Sequence, residues 1–466
     1  MDLPLIARYL ALRRRFRQRE RLPRAELVAL QQSQLDELRR HALDHSPFYR
    51  RFHRGMEGRP LAELPVLTKA TLMDNFDEVV TDRGIRLHDV EAHLGDIDGD
   101  VRFRDRYRVV STSGTTGLRG IFLSDPTEWA HVIASYARAQ EWAGIVPNLR
   151  HPVRLAVVST TTPWHQSARV GASVRSPLAP TIRLNAKADL GEIVSQLNAF
   201  QPESLVAYAS MQRTLAREQL EGRLRIKPRA AFSASEVLTD DTRRLITEAW
   251  TIEPFNVYAA TEPAGVASEC ERHAGMHLYE DLVIAEVVDE ANRPVPPGSV
   301  GAKILVTVLF SRTQPLIRYE LSDTVLTSGR LCTCGRTLAL IEGVEGRQEE
   351  VLHLAADRGA SVAIHPNVFH DVLDRVAAGE WQIVEDGGRL RLLVARPAAD
   401  FDGQAVTASI GRALRAAGAS VSDPSWSQVD AIPRTGTGKA PLIRALREPR
   451  DAGSTLSPAA SAATPG

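Results

Sequence analysis

Cysteine is nearly missing from this 466-residue sequence, which holds only Cys270, Cys332 and Cys334. So few in so long a chain argue against a disulfide framework, and Cys332 and Cys334 stand too close together for easy bridging. Net charge is missing too, since Lys plus Arg and Asp plus Glu each total 57. No global field would draw such a protein to nucleic acid or to an acidic membrane. No apolar run approaches the length that crosses a bilayer. The opening residues, Met1 to Ala7, soon become Arg-rich and lack the apolar core and cleavage site of a secretory signal. The expectation is a soluble, cytoplasmic protein with neither nucleic acid nor membrane as partner. What the chain does have is 43% hydrophobic residues, enough for a large core in more than one compact domain.

From about Leu10 to Leu43 the pattern is charged and helical, with Leu27, Leu30, Leu35, Leu38 and Leu43 near helical spacing. The cluster Arg13-Arg14-Arg15-Phe16-Arg17 reads either as a nucleic-acid patch or as a solvated helix face. Glu20, Glu26 and Glu37 favour the face. Between Arg154 and Phe310 short apolar runs alternate with amphipathic segments. Leu155–Val158, Leu205–Tyr208, Ala230–Phe232 and Phe255–Tyr258 read as buried strands, and Leu190–Phe200, Met211–Leu220 and Asp240–Trp250 as helices. That alternation predicts parallel strands with crossover helices. Leu282–Asp289 and Lys303–Phe310 follow as strands joined by a turn-rich link, which predicts a β-rich subdomain.

Beyond Gly346, Trp381–Glu385 and Leu390–Ala395 form an expected hairpin across Asp386-Gly387-Gly388, with helices over Asn367–Ala378 and Ala405–Ala417. The fold class is α/β: a large N-terminal domain of α/β layers plus the β-rich subdomain, then a small mobile α+β domain. The expected division is 1–346, with a helical segment over 1–44, then 347–448, then a disordered tail over 449–466.

Chemistry is carried first by Ser111-Thr112-Ser113-Gly114-Thr115-Thr116-Gly117, directly after Val109-Val110. Glycines let backbone approach an anion, and hydroxyls add donors to phosphate oxygens. The run lacks the Gly-Lys-Ser/Thr of the common nucleotide P-loop, and its alternative reading is a polar hairpin turn.

Companion motifs give the run a context. Ser113-Gly114-Thr115-Thr116-Gly117, Tyr258-Ala259-Ala260-Thr261-Glu262, Arg318-Tyr319-Glu320-Leu321-Ser322-Asp323, Gly346-Arg347-Gln348-Glu349-Glu350 and Pro433-Arg434-Thr435-Gly436-Thr437-Gly438-Lys439 come in this order. Together they resemble the elements of the AMP-binding, adenylate-forming superfamily. His45-Ser46-Pro47-Phe48-Tyr49, Pro65-Val66-Leu67-Thr68-Lys69 and Gly275-Met276-His277-Leu278-Tyr279-Glu280-Asp281 resemble its phenylacetate–CoA ligase-like branch. The resemblance covers about Leu38 to Arg444.

It implies an ATP-dependent, AMP-forming acid–thiol ligase that makes an acyl-adenylate from a carboxylic acid, aromatic by analogy with the branch, and passes it to coenzyme A. A carrier protein or an amine as acceptor, or a non-catalytic nucleotide-binding relative acting as a partner protein, are the alternatives; a homodimer is an assembly left open. Ser113, Gly114, Thr115, Thr116 and Gly117 would cradle phosphate, with Ser235 and Glu236 beside adenine. Tyr258 would lie near adenine, Thr261 on the α-phosphate, Asp323 on the ribose hydroxyls and Arg347 on ribose or phosphate. Glu262 would hold magnesium, and Lys439 would stabilise the charge that builds in the transition state.

Taken singly, Asp323 reads equally as a turn residue, Glu262 as a helix N-terminal carboxylate and Arg347 as a surface ion-pair partner. A lysine flanked by Gly436 and Gly438 has little structural reason to exist. Trp164 and His165 stand where the family often lines the acid pocket, and His165 reads equally as a surface-loop residue. Tyr136, Trp142 and Tyr208 are further aromatic candidates, against the ordinary core reading.

The three cysteines and His277 could close a Cys3His zinc tetrahedron, with His273 as a rival ligand and three reduced cysteines as the alternative. Two departures from the family pattern stand out. Leu118-Arg119-Gly120 replaces the usual lysine and proline, with Arg119 offering a charge one position on, and Ala259 stands where glycine is usual.

Overall fold

The computed structural model describes residues 3–112, 119–174, 176–347, 352–356, 361–364, 367–373, 376, 380–434 and 440–446. Two compact units emerge: Met1–Glu349 with Pro433–Pro441, and Glu350–Ile432 with Leu442–Gly466. The segment Pro433–Pro441, which the expected division put in the small domain, thus groups with the large unit.

In the large unit the N-terminal stretch is two helices, Leu3–Arg19 and Arg24–His45, because Pro23 cannot continue the first. The Arg cluster lies largely on the solvated face expected of it, with Arg14, Arg15 and Arg17 exposed, but one edge of it is anchored. Arg13 and Arg17 both pair with Glu141 of the helix Pro126–Trp142, and Phe16 between them is buried. Strands β1 (Arg108–Ser111) and β2 (Ile121–Ser124) pair antiparallel on either side of the Gly/Ser/Thr run. Ser113 to Leu118, on which the hairpin-turn and phosphate-loop readings both fall, lie outside the described residues.

Five strands then run parallel: β3 (Leu155–Ser159), β4 (Thr181–Asn185), β5 (Ser204–Ala207), β6 (Ala230–Ala234) and β7 (Phe255–Ala260), in the order β4-β3-β5-β6-β7. Between them lie the helices Gln166–Ser173, Leu190–Phe200, Ala209–Leu220 and Asp240–Trp250. Local chemistry sets the ends of two of these. Asp189 caps the backbone N–H of Glu192 and Thr239 that of Thr242, while Gln201 and Thr251 close the same helices in left-handed conformation. Helices and strands thus follow the alternation in the sequence, with strand ends shifted by a residue or two.

Antiparallel strands complete the large unit: β8 (Ala264–Glu269), β9 (Met276–Leu278), β10 (Val283–Val288), β11 (Val300–Gly301), β12 (Lys303–Val308), β13 (Tyr319–Leu321), β14 (Asp323–Thr327) and β15 (Leu340–Arg347). β8, β9, β15, β14 and β11 extend the parallel strands into one ten-stranded sheet, and β10, β12 and β13 form a separate antiparallel sheet. Among the described residues no helix is long and apolar enough to cross a membrane.

The small unit holds the hairpin of β16 (Leu352–Ala355) and β17 (Ser361–Ile364), and a four-stranded sheet. That sheet contains β18 (Glu380–Asp386), β19 (Arg389–Ala395), β20 (Ser425–Val429) and β21 (Ile443–Leu446) in the order β20-β19-β18-β21. The expected hairpin over 381–395 is β18 and β19. The helix Gly403–Ala416 places Ile410 and Leu414 in the unit's core. The helix expected over Asn367–Ala378 spans Asn367–Leu373, and the tail from 447 onward lies outside the described residues.

Candidate active site

Parallel α/β sheets leave a crevice at the carboxyl ends of their strands, where the strand order reverses. Here the chain goes from β3 outward to β4 and then back to β5 on the other side of β3. At that switch the backbone N–H of Thr160, after β3, donates to Oη of Tyr208, after β5, at 3.0 Å. Three more of the predicted residues follow the neighbouring strand ends: Ser235 and Glu236 after β6, and Thr261 after β7.

Ser235 has φ of +68°, a left-handed backbone that a non-glycine residue holds only when its surroundings enforce it. The carboxylate of Glu236 accepts from the N–H of Ser210 at 2.8 Å, at the start of the helix Ala209–Leu220, where an anion is favoured. Its other oxygen accepts from the N–H of Ala440 at 2.9 Å, and Arg434 Nη1 donates to Ser210 Oγ at 3.3 Å. Both flanks of the segment 435–439 are therefore tied to the loops after β5 and β6. Lys439 itself lies outside the described residues.

Tyr258 Oη donates to Asp323 Oδ2 at 2.7 Å, joining the end of β7 to the start of β14, and both residues are buried. Arg347 stands opposite Asp323 in the pairing of β14 with β15. Tyr319 Oη donates to Glu262 Oε1 at 3.2 Å. Burial, and after it the Glu262 charge, hold the Tyr319 phenol well above its usual range, so it stays a donor. Glu262 is a hard-oxygen carboxylate beside the strand ends, the ligand type that magnesium prefers.

Gln166 was not singled out from the sequence, yet it links two walls of the site. Its Nε2 donates to the carbonyl of Thr261 at 3.1 Å, and its Oε1 accepts from Tyr136 Oη at 2.6 Å. Adjacency to Trp164-His165 is the only signal that could have marked it. Beside these residues opens a largely apolar cavity of about 510 Å³, lined by Tyr136, His165, Gln166, Tyr208, Phe232 and Thr261 among others. Trp164 stands apart from the cavity lining. Its ring lies 4.9 Å from the Arg119 guanidinium, and its carbonyl accepts from Ser111 N–H at 3.0 Å. Arg119 Nε donates to Ser111 Oγ, which sets its charge at the root of the Gly/Ser/Thr run. Trp142 is core, edge-on to His277 and Tyr279.

A second cluster lies elsewhere in the same unit. The ligand atoms of Cys270, His277, Cys332 and Cys334 all fall within 4.8 Å of one another. The Cys270 and Cys332 sulfurs are 3.7 Å apart, far beyond a disulfide and close to the ~3.8 Å edge of a tetrahedron with 2.3 Å metal–sulfur bonds. His277 Nδ1 faces the carbonyl of Leu338 at 3.1 Å, which selects the tautomer leaving Nε2 free of hydrogen, 3.3 Å from Cys334 Sγ. Burial lowers the His277 pKa, keeping the ring neutral as a ligand must be. His273 is elsewhere, bonded to Glu269 and packed on Phe255. The donor set fits zinc, and the Arg336 side chain and backbone N–H beside Cys334 suit a site with three thiolates.

No family model matches the chain. A phenylacetate–coenzyme A ligase of Thermus thermophilus is 27% identical to it over 364 residues, covering 74% of each protein. The chain is thus similar to an acid–coenzyme A ligase over most of its length. The solved structure of a 2-hydroxyisobutyryl-CoA ligase in the postadenylation state, in complex with R3-HIB-AMP, shares the fold of this chain. Its TM-score is 0.72 at 21% identity, over 92% of this chain and 91% of that one. The Staphylococcus aureus protein CapK is 24% identical over 313 residues, 64% of this chain and 63% of its own length. The chemistry of such AMP-forming ligases is acid activation through acyl-AMP, followed by formation of a CoA thioester.

Proposed function

We propose that this protein activates a carboxylic acid with ATP as an acyl-adenylate and transfers the acyl group to coenzyme A. The acid has a bulky apolar body, aromatic in the first instance. The observation that carries the reading is the apolar cavity opening beside Ser235, Thr261 and His165, with the flanks of the Lys439 segment tied to the loops next to them. Phe232, Tyr136 and Tyr208 supply aromatic walls for the acid.

In the first half-reaction a carboxylate oxygen bonds to the α-phosphorus as the bond to pyrophosphate breaks. Ser113, Gly114, Thr115, Thr116 and Gly117 cradle the phosphates. Thr261 hydrogen-bonds the α-phosphate, and Asp323, held by Tyr258, accepts from the ribose hydroxyls. Arg347 contacts ribose or phosphate, and the Lys439 ammonium sits between the acid and the ribose-side oxygens, where negative charge builds. Glu262 would hold magnesium, which would supply charge neutralisation to the phosphates. In the second half-reaction the thiol attacks the acyl carbon and AMP leaves. The small unit from about Glu349 alternates between the two steps and carries Lys439 in and out. Zinc in the Cys270, His277, Cys332 and Cys334 cluster is structural, a closed four-ligand site.

The test is acid-dependent ATP–pyrophosphate exchange over a panel of aryl and aliphatic acids. Exchange is expected with a bulky apolar acid, and Lys439→Ala should lower it by about 100-fold or more. No exchange with any acid, in protein shown to bind ATP, would overturn the proposal.

A further inference from the structure

Besides the paired Arg13 and Glu141, the cavity beside the candidate site is lined by one further charge, Arg183, that its apolar walls do not require. Across the parallel sheet Arg183 on β4 stands opposite Val157 on β3, Val157 opposite Val206 on β5, and Val206 opposite Phe232 on β6. Residues opposite one another share a face, and all four line the same cavity. One row of the cavity floor is therefore three apolar side chains that end in a guanidinium.

Arg183 Nη1 donates to the carbonyl of Ser167 at 3.0 Å, and among the described residues no carboxylate pairs with it. Burial pulls its pKa down to about 10, which still leaves it charged at neutral pH. A cation withdrawn from water without a counter-ion is costly, and such groups persist where a partner is supplied. The neighbouring helix is shaped around it. A Cβ at Gly171 would fall 1.7 Å from Arg183 Cζ and Nε, so only glycine lets the guanidinium lie against the helix Gln166–Ser173. Glycine is otherwise a poor choice inside a helix.

We propose that Arg183 is a specificity-determining residue, binding a second oxyanion on the acid at the end remote from the carboxyl group being activated. The inference rests on the acid-activating function proposed above. Three strand spacings separate β4 from β6, whose carboxyl end carries Ser235, or roughly 14 Å across the sheet. The reach of an arginine side chain shortens that gap, so the two anionic groups of the substrate stand on the order of 10 Å apart. Between them the substrate meets Val157, Val206 and Phe232, which suit an alkyl or aryl spacer. The planar guanidinium offers two parallel donors to a carboxylate, a match that an ammonium lacks.

Pyrophosphate exchange with decanoate against decanedioate, and with 4-phenylbutanoate against its para-carboxy derivative, tests this in the wild type, Arg183→Met and Arg183→Lys. The wild type should favour the diacid of each pair by about tenfold or more in kcat/KM, mainly through KM. Arg183→Met should reverse the preference, and Arg183→Lys should keep part of it. The thermal midpoint of ligand-free Arg183→Met should rise, because an unpaired charge has been removed; a fall would assign Arg183 a purely structural role. Exchange with monoacids and no gain from the second carboxylate would overturn the inference and leave acid activation standing. Exchange absent with every acid would remove the function itself, and this inference with it.

Discussion

Tyr258 and Asp323 show how a single contact prepares a site for its ligand. The phenol donates to one oxygen of a buried carboxylate and fixes its orientation, the carboxylate proposed above to accept from the ribose hydroxyls. Hydrogen bonds to charged groups contribute about 1.5–3 kcal/mol. Tyr258→Phe should therefore raise the KM for ATP by about tenfold and leave kcat nearly unchanged, a split that steady-state kinetics at saturating acid would resolve. An equal fall in kcat would instead place Tyr258 in the transition state. Asp323 and Glu262 were legible as motif positions, but their contacts with the phenols of Tyr258 and Tyr319 were not. Tyr319 reaches Glu262 from 57 positions away in sequence.

At the scale of elements, the helices Leu3–Arg19 and Pro126–Trp142 meet β9 and β10 around a fully buried ion pair. Arg138 donates twice to Asp281, at 2.8 Å each, while its guanidinium faces the rings of Phe16 and Tyr279. Removing one partner leaves the other charge buried and unpaired, so Arg138→Met should lower stability by about 3–5 kcal/mol in urea unfolding. Replacing both partners with apolar residues should recover most of that loss. The Cys/His cluster joins the loop after β8, β9 and the residues before β15, and so acts on elements far apart in the chain. Freshly purified protein should contain about one zinc per chain by elemental analysis. Cys334→Ser should lower the metal content and the thermal midpoint more than it lowers kcat. Metal-free wild-type protein of normal stability would rule the site out.

For the whole molecule, the proposed alternation of the small unit separates the two half-reactions. A proline at the expected hinge, Glu349→Pro, should leave pyrophosphate exchange largely intact and slow thioester formation by about tenfold or more. The ratio of the two rates, measured on one preparation, checks it; equal slowing of both steps would argue against a hinge there.

The chain's own periodicity determined which segments become parallel strands and which become crossover helices, because buried strands and amphipathic helices differ in hydrophobic period. It also fixed the order of the motifs on which the proposed function rests, since each is a local run of residues. Tertiary structure alone chose His277 over His273, since both lie within seven residues of Cys270 and only the turn of the chain into β9 brings one to the sulfurs. It alone gave Arg13 and Arg17 their partner, because Glu141 lies on a helix more than a hundred residues away. Arg183 is the plainest case. In sequence it is one arginine on a short strand, and it becomes the single cation of an apolar floor row only when β4, β3, β5 and β6 fall into register. Contacts between distant strands are settled by sheet pairing and packing, and no local pattern encodes them.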